Sequence, residues 1–125
     1  MDKKQVLVVD DDADIRGQLK GMLDARYIVL QAASGKECLK CVDKFRPDCI
    51  VMDVMMDDVC DGLETAKKLK ETKETSGIPV ILLTSVNKSF DYRSQTDAAY
   101  FPHDVWIDKP VKAEKLLSEV ARLVG

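Results

Sequence analysis

The chain has 125 residues, of which 33% are charged and 46% are hydrophobic. This length and balance are typical of one globular domain with one core, and we predict a single domain over residues 1–125. The net charge of −3 provides no basic surface for nucleic acid, which excludes that class of partner. No apolar run is long enough to span a bilayer, and no signal peptide precedes the first strand pattern, so we expect a cytoplasmic protein without membrane contacts.

The first strand is predicted at residues 5–9, where an apolar run is typical of a strand covered on both faces. Three acids follow it, and the third, Asp12, is a candidate cap for the next helix. An apolar stripe predicts that helix: Ile15, Leu19, Met22 and Leu23. A second strand is predicted at residues 27–32. Ser34 and Glu37 then have the spacing of a capping box and predict a second helix that ends near Phe45.

The apolar run at residues 49–52 predicts a third buried strand, which ends in Asp53. Asp61 is a candidate cap for a third helix, whose apolar side includes Leu69. A fourth strand is predicted at residues 79–83 and is followed by Thr84. The segment 86–104 has the weakest pattern, with room for a short helix at residues 90–99.

A brief fifth strand is predicted at residues 105–107, followed by Asp108, Lys109 and Pro110. Apolar residues at helical spacing predict the last helix: Leu116, Leu117, Val120, Leu123 and Val124. Strands that alternate with helices predict an α/β fold in which helices cover both faces of a parallel sheet. We adopt a flavodoxin-like, doubly wound five-stranded sheet with strand order 2-1-3-4-5, one of the two common orders of such folds.

Four cysteines are present, and two of them, Cys38 and Cys41, have the CxxC spacing of a redox pair or half a zinc site. No second CxxC exists, and the single histidine is His103, so a structural zinc site has little support. Both cysteines also fall in the apolar pattern of the second helix. We therefore interpret them as reduced residues that pack in the core.

Polar residues end four of the predicted strands on the carboxyl side. They are Asp10 and Asp11 after strand one, Asp53 after strand three, Thr84 after strand four and Lys109 after strand five. In this strand order the acids of strands one and three converge, and two such charges about 4 Å apart repel by roughly 1–4 kcal/mol. A cation would relieve that repulsion. All-oxygen ligands favour Mg²⁺, with Mn²⁺ as the alternative.

A carboxylate beside a divalent cation, a hydroxyl and a lysine suits phosphoryl transfer, with the carboxylate as nucleophile. Each residue also has an ordinary structural interpretation. Asp53 could cap a turn, Thr84 could be a plain strand residue, and Lys109 could be a solvated charge. The arrival of all of them at strand ends in one sequence favours a site.

These residues carry a resemblance to the receiver domain of two-component response regulators, including stand-alone chemotaxis receivers. The matching features are Asp10-Asp11 after the apolar residues 6–9, Asp53 after residues 50–52, Thr84 after residues 81–83, and the pair Lys109-Pro110. The resemblance covers essentially the whole chain and is weakest at residues 86–104.

The resemblance implies a role for each matching residue. Asp53 would accept the phosphoryl group, Thr84 would contact it and Lys109 would pair with its charge. The peptide bond between Lys109 and Pro110 would be cis. The implied Mg²⁺ ligands are Asp10, Asp11, Asp53 and the carbonyl of Met55, and the implied switch pair is Thr84 and Trp106. The protein would not be an enzyme on other substrates, because it would catalyse only its own phosphorylation and dephosphorylation.

The resemblance also implies the partners. A sensor histidine kinase or a phosphotransfer protein would supply the phosphoryl group, and an unidentified downstream protein would receive the signal. We expect a monomer or a weak dimer. The chain departs from the family pattern in three places: Asp57 replaces the usual Pro, Trp106 replaces the usual Tyr or Phe, and Pro102-His103 replaces the usual Gly-Ala.

Three rival interpretations differ at particular positions. A haloacid-dehalogenase-type phosphatase would need a second Asp at the position of Met55. A flavodoxin would need a phosphate loop where this chain has the acids 10–12. A pseudo-receiver, a protein-binding module that is not phosphorylated, would be expected to lack one of the five site residues. It remains the alternative function.

Overall fold

The computed structural model of the protein describes residues 3–53, 65, 67–69, 71–73, 75–84, 105–108 and 110–124. Within these ranges the chain forms strands and helices in alternation. In chain order they are β1 (Gln5–Val9), α1 (Ala13–Leu23), β2 (Ile28–Ala32), α2 (Gly35–Phe45), β3 (Cys49–Asp53), β4 (Val80–Thr84), β5 (Val105–Asp108) and α3 (Ala113–Val124).

The strands form one sheet in the order β2-β1-β3-β4-β5. Every neighbouring pair is parallel. The predicted flavodoxin-like α/β fold and the predicted strand order are confirmed. The chain reverses its direction of progress across the sheet between β1 and β3, which is the topological switch point where such folds bind their ligands.

The core lies in two layers, one on each face of the sheet. Successive strand residues point to opposite faces, so that in β1 Leu7 belongs to one layer and Val8 to the other. The first layer contains Cys38 and Val42 of α2, and the second contains Leu19 of α1 together with buried residues of α3. Because both faces are covered, residues 6–9 of β1 and residues 49–52 of β3 are all apolar, as the sequence predicted.

Two of the three predicted helix caps are present, and the third, Asp61, lies outside the described residues. The Asp12 carboxylate accepts hydrogen bonds from the amides of Asp14 and Ile15, and the Ser34 hydroxyl accepts one from Glu37 N. The Glu37 carboxylate returns to the amide of Ala33, one residue before the cap. Helix α2 ends at Phe45, and the capping residue Arg46 adopts the left-handed conformation with φ 52°. These contacts satisfy backbone groups that the helix ends leave without partners.

The structure differs from the predicted boundaries in small ways. Strands β3 and β4 continue one residue further than predicted and include Asp53 and Thr84. Tyr27 was predicted in β2, but it lies before that strand, where its amide bonds to Leu23 O and its side chain packs in the core. In α3 the fully buried residues are Leu116 and Val120, and the other three predicted core residues are partly buried.

Residues 65, 67–69 and 71 are helical, in the stretch where the third helix was predicted, and Leu69 there is buried. The predicted helix at residues 90–99 lies outside the described residues. Cys38 packs in the core as predicted, and burial raises the pKa of the half-buried Cys41 thiol, an effect that nearby Lys44 partly offsets. No helix in the described ranges is both long and apolar enough to cross a membrane.

Candidate functional site at the carboxyl edge of the sheet

Two buried acids occupy the carboxyl edge of the sheet at the switch point. Asp53 is the last residue of β3, and Asp10 directly follows β1. The parallel register pairs Val9 with Met52, so the next step along both strands brings Asp10 beside Asp53. The two residues are only 1% and 4% exposed. Two of the predicted site residues are therefore neighbours across strands that are far apart in sequence.

The backbone of Asp10 continues the sheet beyond β1. Its amide donates to the carbonyl of Ala32 at the end of β2, with an N–O distance of 3.1 Å. One oxygen of its side chain, Oδ1, accepts a hydrogen bond of 2.9 Å from the amide of Asp12. Both contacts are local consequences of strand pairing and of a turn between β1 and α1. They fix the direction in which the Asp10 carboxylate leaves the chain.

Helix α1 begins immediately behind this turn. Asp12 is its cap, with Oδ1 2.8 Å from the amide of Asp14. The amino end of a helix carries a partial positive charge, which favours anions nearby. The site therefore combines two buried carboxylates with the favourable end of a helix dipole.

Arg16 on α1 reaches back to the site. Its Nη1 atom donates a 2.6 Å hydrogen bond to the backbone carbonyl of Asp10, and its Nε atom donates a 3.3 Å hydrogen bond to Oε1 of Gln31 in β2. Neither residue was among the site residues predicted from the sequence. A usable signal was present, since Arg16 follows the Asp12 cap by four residues and so stands one helical turn beyond it.

The remaining predicted site residues are placed by their strands alone. Thr84 ends β4 one step beyond Leu83, which is the register partner of Asp53. Trp106 lies in β5 as the partner of Leu82. Lys109 directly follows β5, but it lies outside the described residues, as does its predicted cis bond to Pro110. Met55 also lies outside them.

The donor set at this edge suits a hard cation. In the described part of the chain, no group of three or more His, Cys, Asp or Glu side chains is arranged to hold a metal ion. A Mg²⁺ site does not require one, because Mg²⁺ commonly binds one or two carboxylates and keeps water or phosphate oxygens as its other ligands. The buried pair Asp10 and Asp53 meets that requirement, and Asp11 is exposed in the loop beside it.

The family model described as the response regulator receiver domain matches residues 6–121 of this chain. The chain belongs to this family. Response regulator MprA from Mycolicibacterium vanbaalenii is 34% identical to this receiver over 121 residues, which are 96% of the chain and 50% of the relative. The receiver thus spans about half the length of the curated response regulators that it matches. Histidine kinase P4 from Formosa agariphila is 39% identical over 84 residues, 67% of the chain and 6% of that protein.

Two solved structures show how closely the fold is shared. The signal receiver domain of a signal transduction histidine kinase from Syntrophus aciditrophicus is 32% identical, with a TM-score of 0.85, and the match covers 97% of the receiver and 89% of that chain. The chemotaxis response regulator CheY4 of Vibrio cholerae is 30% identical, with a TM-score of 0.82 and coverage of 97% and 98%. The resemblance stated from the sequence is confirmed.

Proposed function

We propose that this receiver accepts a phosphoryl group on Asp53 and passes the signal to a protein partner. The observation that carries the proposal is the pair of buried carboxylates, Asp10 and Asp53, side by side at the switch point of a receiver fold. Burying two like charges together is unfavourable unless a cation joins them. A purely structural role gives no reason to hold both acids there.

The ligands proposed for Mg²⁺ are Asp10, Asp11, Asp53 and the carbonyl of Met55, and Mn²⁺ would suit the same oxygens. When bound, the cation would supply charge stabilisation for the phosphoryl oxygens. Thr84 is proposed to donate a hydrogen bond to the phosphoryl group and Lys109 to pair with its charge. The position of Thr84 at the end of β4, the strand next to β3, supports its part in this arrangement.

In the proposed reaction, a carboxylate oxygen of Asp53 attacks the phosphorus atom of the donor. The new O–P bond forms an aspartyl-phosphate, and the bond from phosphorus to the donor's leaving group breaks. The leaving group is the histidine of a sensor kinase or phosphotransfer protein. The match to a domain from a histidine kinase supports a donor of that class. The receiver would catalyse only this transfer and the later hydrolysis of its own acyl phosphate.

The signal itself is proposed to be a conformational change, in which Thr84 and Trp106 are the switch residues. Thr84 lies in β4 and Trp106 in the neighbouring strand β5, so the pair connects the phosphoryl site to the edge of the sheet that β5 forms. We propose that residues 1–125 act as one domain, as a monomer or weak dimer in the cytoplasm, and that the receptor of the signal is a protein.

Intact-protein mass spectrometry tests the proposal directly. After incubation with acetyl phosphate and Mg²⁺, the wild-type protein should gain the mass of one phosphoryl group, and excess chelator should prevent the gain. Asp53→Ala should gain none. Asp43→Ala, which removes an exposed acid from α2, should gain as much as wild type. An unmodified wild-type protein would instead support the pseudo-receiver alternative.

A further inference from the structure

We infer that Arg16 is a positioning residue for the cation site, which it organises by holding the peptide bond between Asp10 and Asp11. The inference rests on the proposed function, since it concerns the Mg²⁺ ligands of the same site. Arg16 acts on the main chain of Asp10. Its bond goes to the main-chain carbonyl of Asp10.

That carbonyl is well placed to control both acids of the loop. A peptide unit is planar, so the carbonyl of Asp10 and the amide of Asp11 turn together. Holding the carbonyl therefore sets the backbone angle at which Asp10 leaves β1 and the angle at which Asp11 enters the turn. The 2.6 Å separation is short for a hydrogen bond from nitrogen to oxygen, as is typical when the donor is charged.

Hydrogen bonds also hold the amide and the side chain of Asp10, so the Arg16 contact adds a third restraint on this residue. The amide of Asp10 donates a 3.1 Å hydrogen bond to the carbonyl of Ala32, and Oδ1 of Asp10 accepts a 2.9 Å hydrogen bond from the amide of Asp12. Arg16 belongs to the helix that Asp12 caps, and its own amide donates to the carbonyl of Asp12. A change in the loop would therefore have to break the Arg16 contact or move the start of α1.

Gln31 orients the guanidinium for this task. The guanidinium group of Arg16 is planar and holds its N–H donors in a fixed geometry. Its hydrogen bonds from Nε to Gln31 Oε1 and from Nη1 to the carbonyl of Asp10 are therefore made together. The pair bridges α1 to β2 across the end of β1. A lysine at this position would keep the charge, but it could not make the same forked contact with two separate acceptors.

The charge of Arg16 acts against the inferred role, which makes the inference testable. A cation near the acids repels Mg²⁺, so if Arg16 acted through charge alone, its removal would tighten Mg²⁺ binding. If Arg16 acts by positioning, its removal loosens the ligands and weakens binding. Groups that orient metal ligands typically contribute a factor of about 10 or more to metal affinity.

The test is calorimetric titration of Mg²⁺ into the unphosphorylated full chain, with no phosphoryl donor present. Arg16→Met and Arg16→Lys should each raise the Mg²⁺ dissociation constant by about tenfold. Gln31→Met should raise it by a smaller factor, and Gln31→Glu, which keeps an acceptor and adds a negative charge, should not raise it. The matched control is Lys20→Met, which removes a positive charge from the same helix, where Lys20 pairs with Asp24 at 3.0 Å.

Tighter binding by Arg16→Met, or wild-type binding by Arg16→Lys, would overturn the inference, as would a wild-type protein that binds no Mg²⁺. Thermal unfolding in excess chelator identifies a variant that does not fold, and Gln31→Met then decides the question by the same titration. The proposed function is judged separately by the mass of the phosphorylated protein. If wild type binds Mg²⁺ and gains no phosphoryl group, the proposed function fails while the role of Arg16 in cation binding stands or falls on the titration.

Discussion

Asp10 and Asp53 are separated by 43 positions in the chain, yet they lie next to each other at the carboxyl edge of neighbouring parallel strands. Both are almost fully buried. Neighbouring strands are roughly 4.8 Å apart, so two negative charges at these positions would repel each other.

This repulsion predicts that neutralising one acid stabilises the metal-free protein. Asp53→Asn keeps the size of the side chain and removes its charge. We expect it to raise the free energy of unfolding by about 1 kcal/mol in chelator, measured by urea denaturation. The gain in stability that wild type shows on adding Mg²⁺ should be much smaller in the variant. Asp43→Asn, an exposed acid on α2, is the matched control and should change neither quantity. A less stable Asp53→Asn in chelator would contradict the prediction.

Two isoleucines on different strands test how much the buried sheet contributes to stability. Ile50 in β3 is completely buried, whereas Ile28 at the start of the edge strand β2 is 46% exposed. Truncation of Ile50 to Ala leaves a cavity in the core layer between the sheet and α2 and should cost about 2–5 kcal/mol. The same change at Ile28 should cost below about 1 kcal/mol, because water already reaches its side chain. Urea denaturation gives both values, and equal costs would mean that the described burial does not govern stability.

The cap of α2 is a second local feature with a measurable effect. The Ser34 hydroxyl accepts a 3.1 Å hydrogen bond from the amide of Glu37, and Ser34→Ala removes that acceptor. We expect a loss of about 1 kcal/mol in the free energy of unfolding. Ser118 is exposed inside α3, where Ala is the better helix former. Ser118→Ala should therefore be neutral or slightly stabilising by comparison, and the opposite order would count against the cap.

The pKa of Glu119 in α3 should depend on Arg122. The hydrogen bond from Arg122 at 2.9 Å is the largest cause that lowers the pKa of this carboxyl below 4.5, and Lys115 at 3.4 Å contributes less. In a carboxyl NMR titration, Arg122→Met should therefore raise the pKa of Glu119 more than Lys115→Met does. An equal or reversed order would contradict this assignment.

The same shift has a consequence for stability. The pKa of Glu119 is lower in the folded protein than in the unfolded chain. The ionised carboxylate therefore stabilises the fold at pH values above the pKa of the unfolded chain, and this contribution disappears as the pH falls through the pKa of the folded protein. The contribution should be below about 1 kcal/mol, since both cations are exposed. Glu119→Gln should accordingly lose stability at neutral pH and match wild type in acid.

Trp106 offers a direct readout of the proposed switch, because it is the single tryptophan of the chain. Its strand β5 is paired with β4, which ends at Thr84. Beryllofluoride, a phosphoryl mimic, added with Mg²⁺ should shift or quench the emission if β4 and β5 respond to Asp53. Asp53→Asn should not respond to the same additions. An unchanged wild-type spectrum would argue against a switch that includes Trp106.

Much of the fold follows from local patterns. The apolar runs at residues 5–9 and 49–52 predicted strands covered on both faces, and Ser34 with Glu37 predicted the start of a helix. These signals depend on residues within one or two turns of each other, so the sequence shows them directly. The strand order required a choice between known topologies. The choice was right because the alternation of strands and helices leaves few alternatives.

The sequence by itself determined the fold class, the helix caps Asp12 and Ser34, and the presence of Asp10 and Asp53 at strand ends. The predicted strand order already made the acids of strands one and three converge, but only the tertiary structure decided that Asp10 and Asp53 stand level, because the register between β1 and β3 is set by packing over the whole sheet. The tertiary structure also decided the place of Tyr27, which packs in the core just before β2 although the sequence predicted it within that strand. Its part is clearest for Arg16, whose contacts with Asp10 and Gln31 join three elements. No short-range pattern specifies such a contact, since it forms only after α1 and β2 have packed on either side of β1.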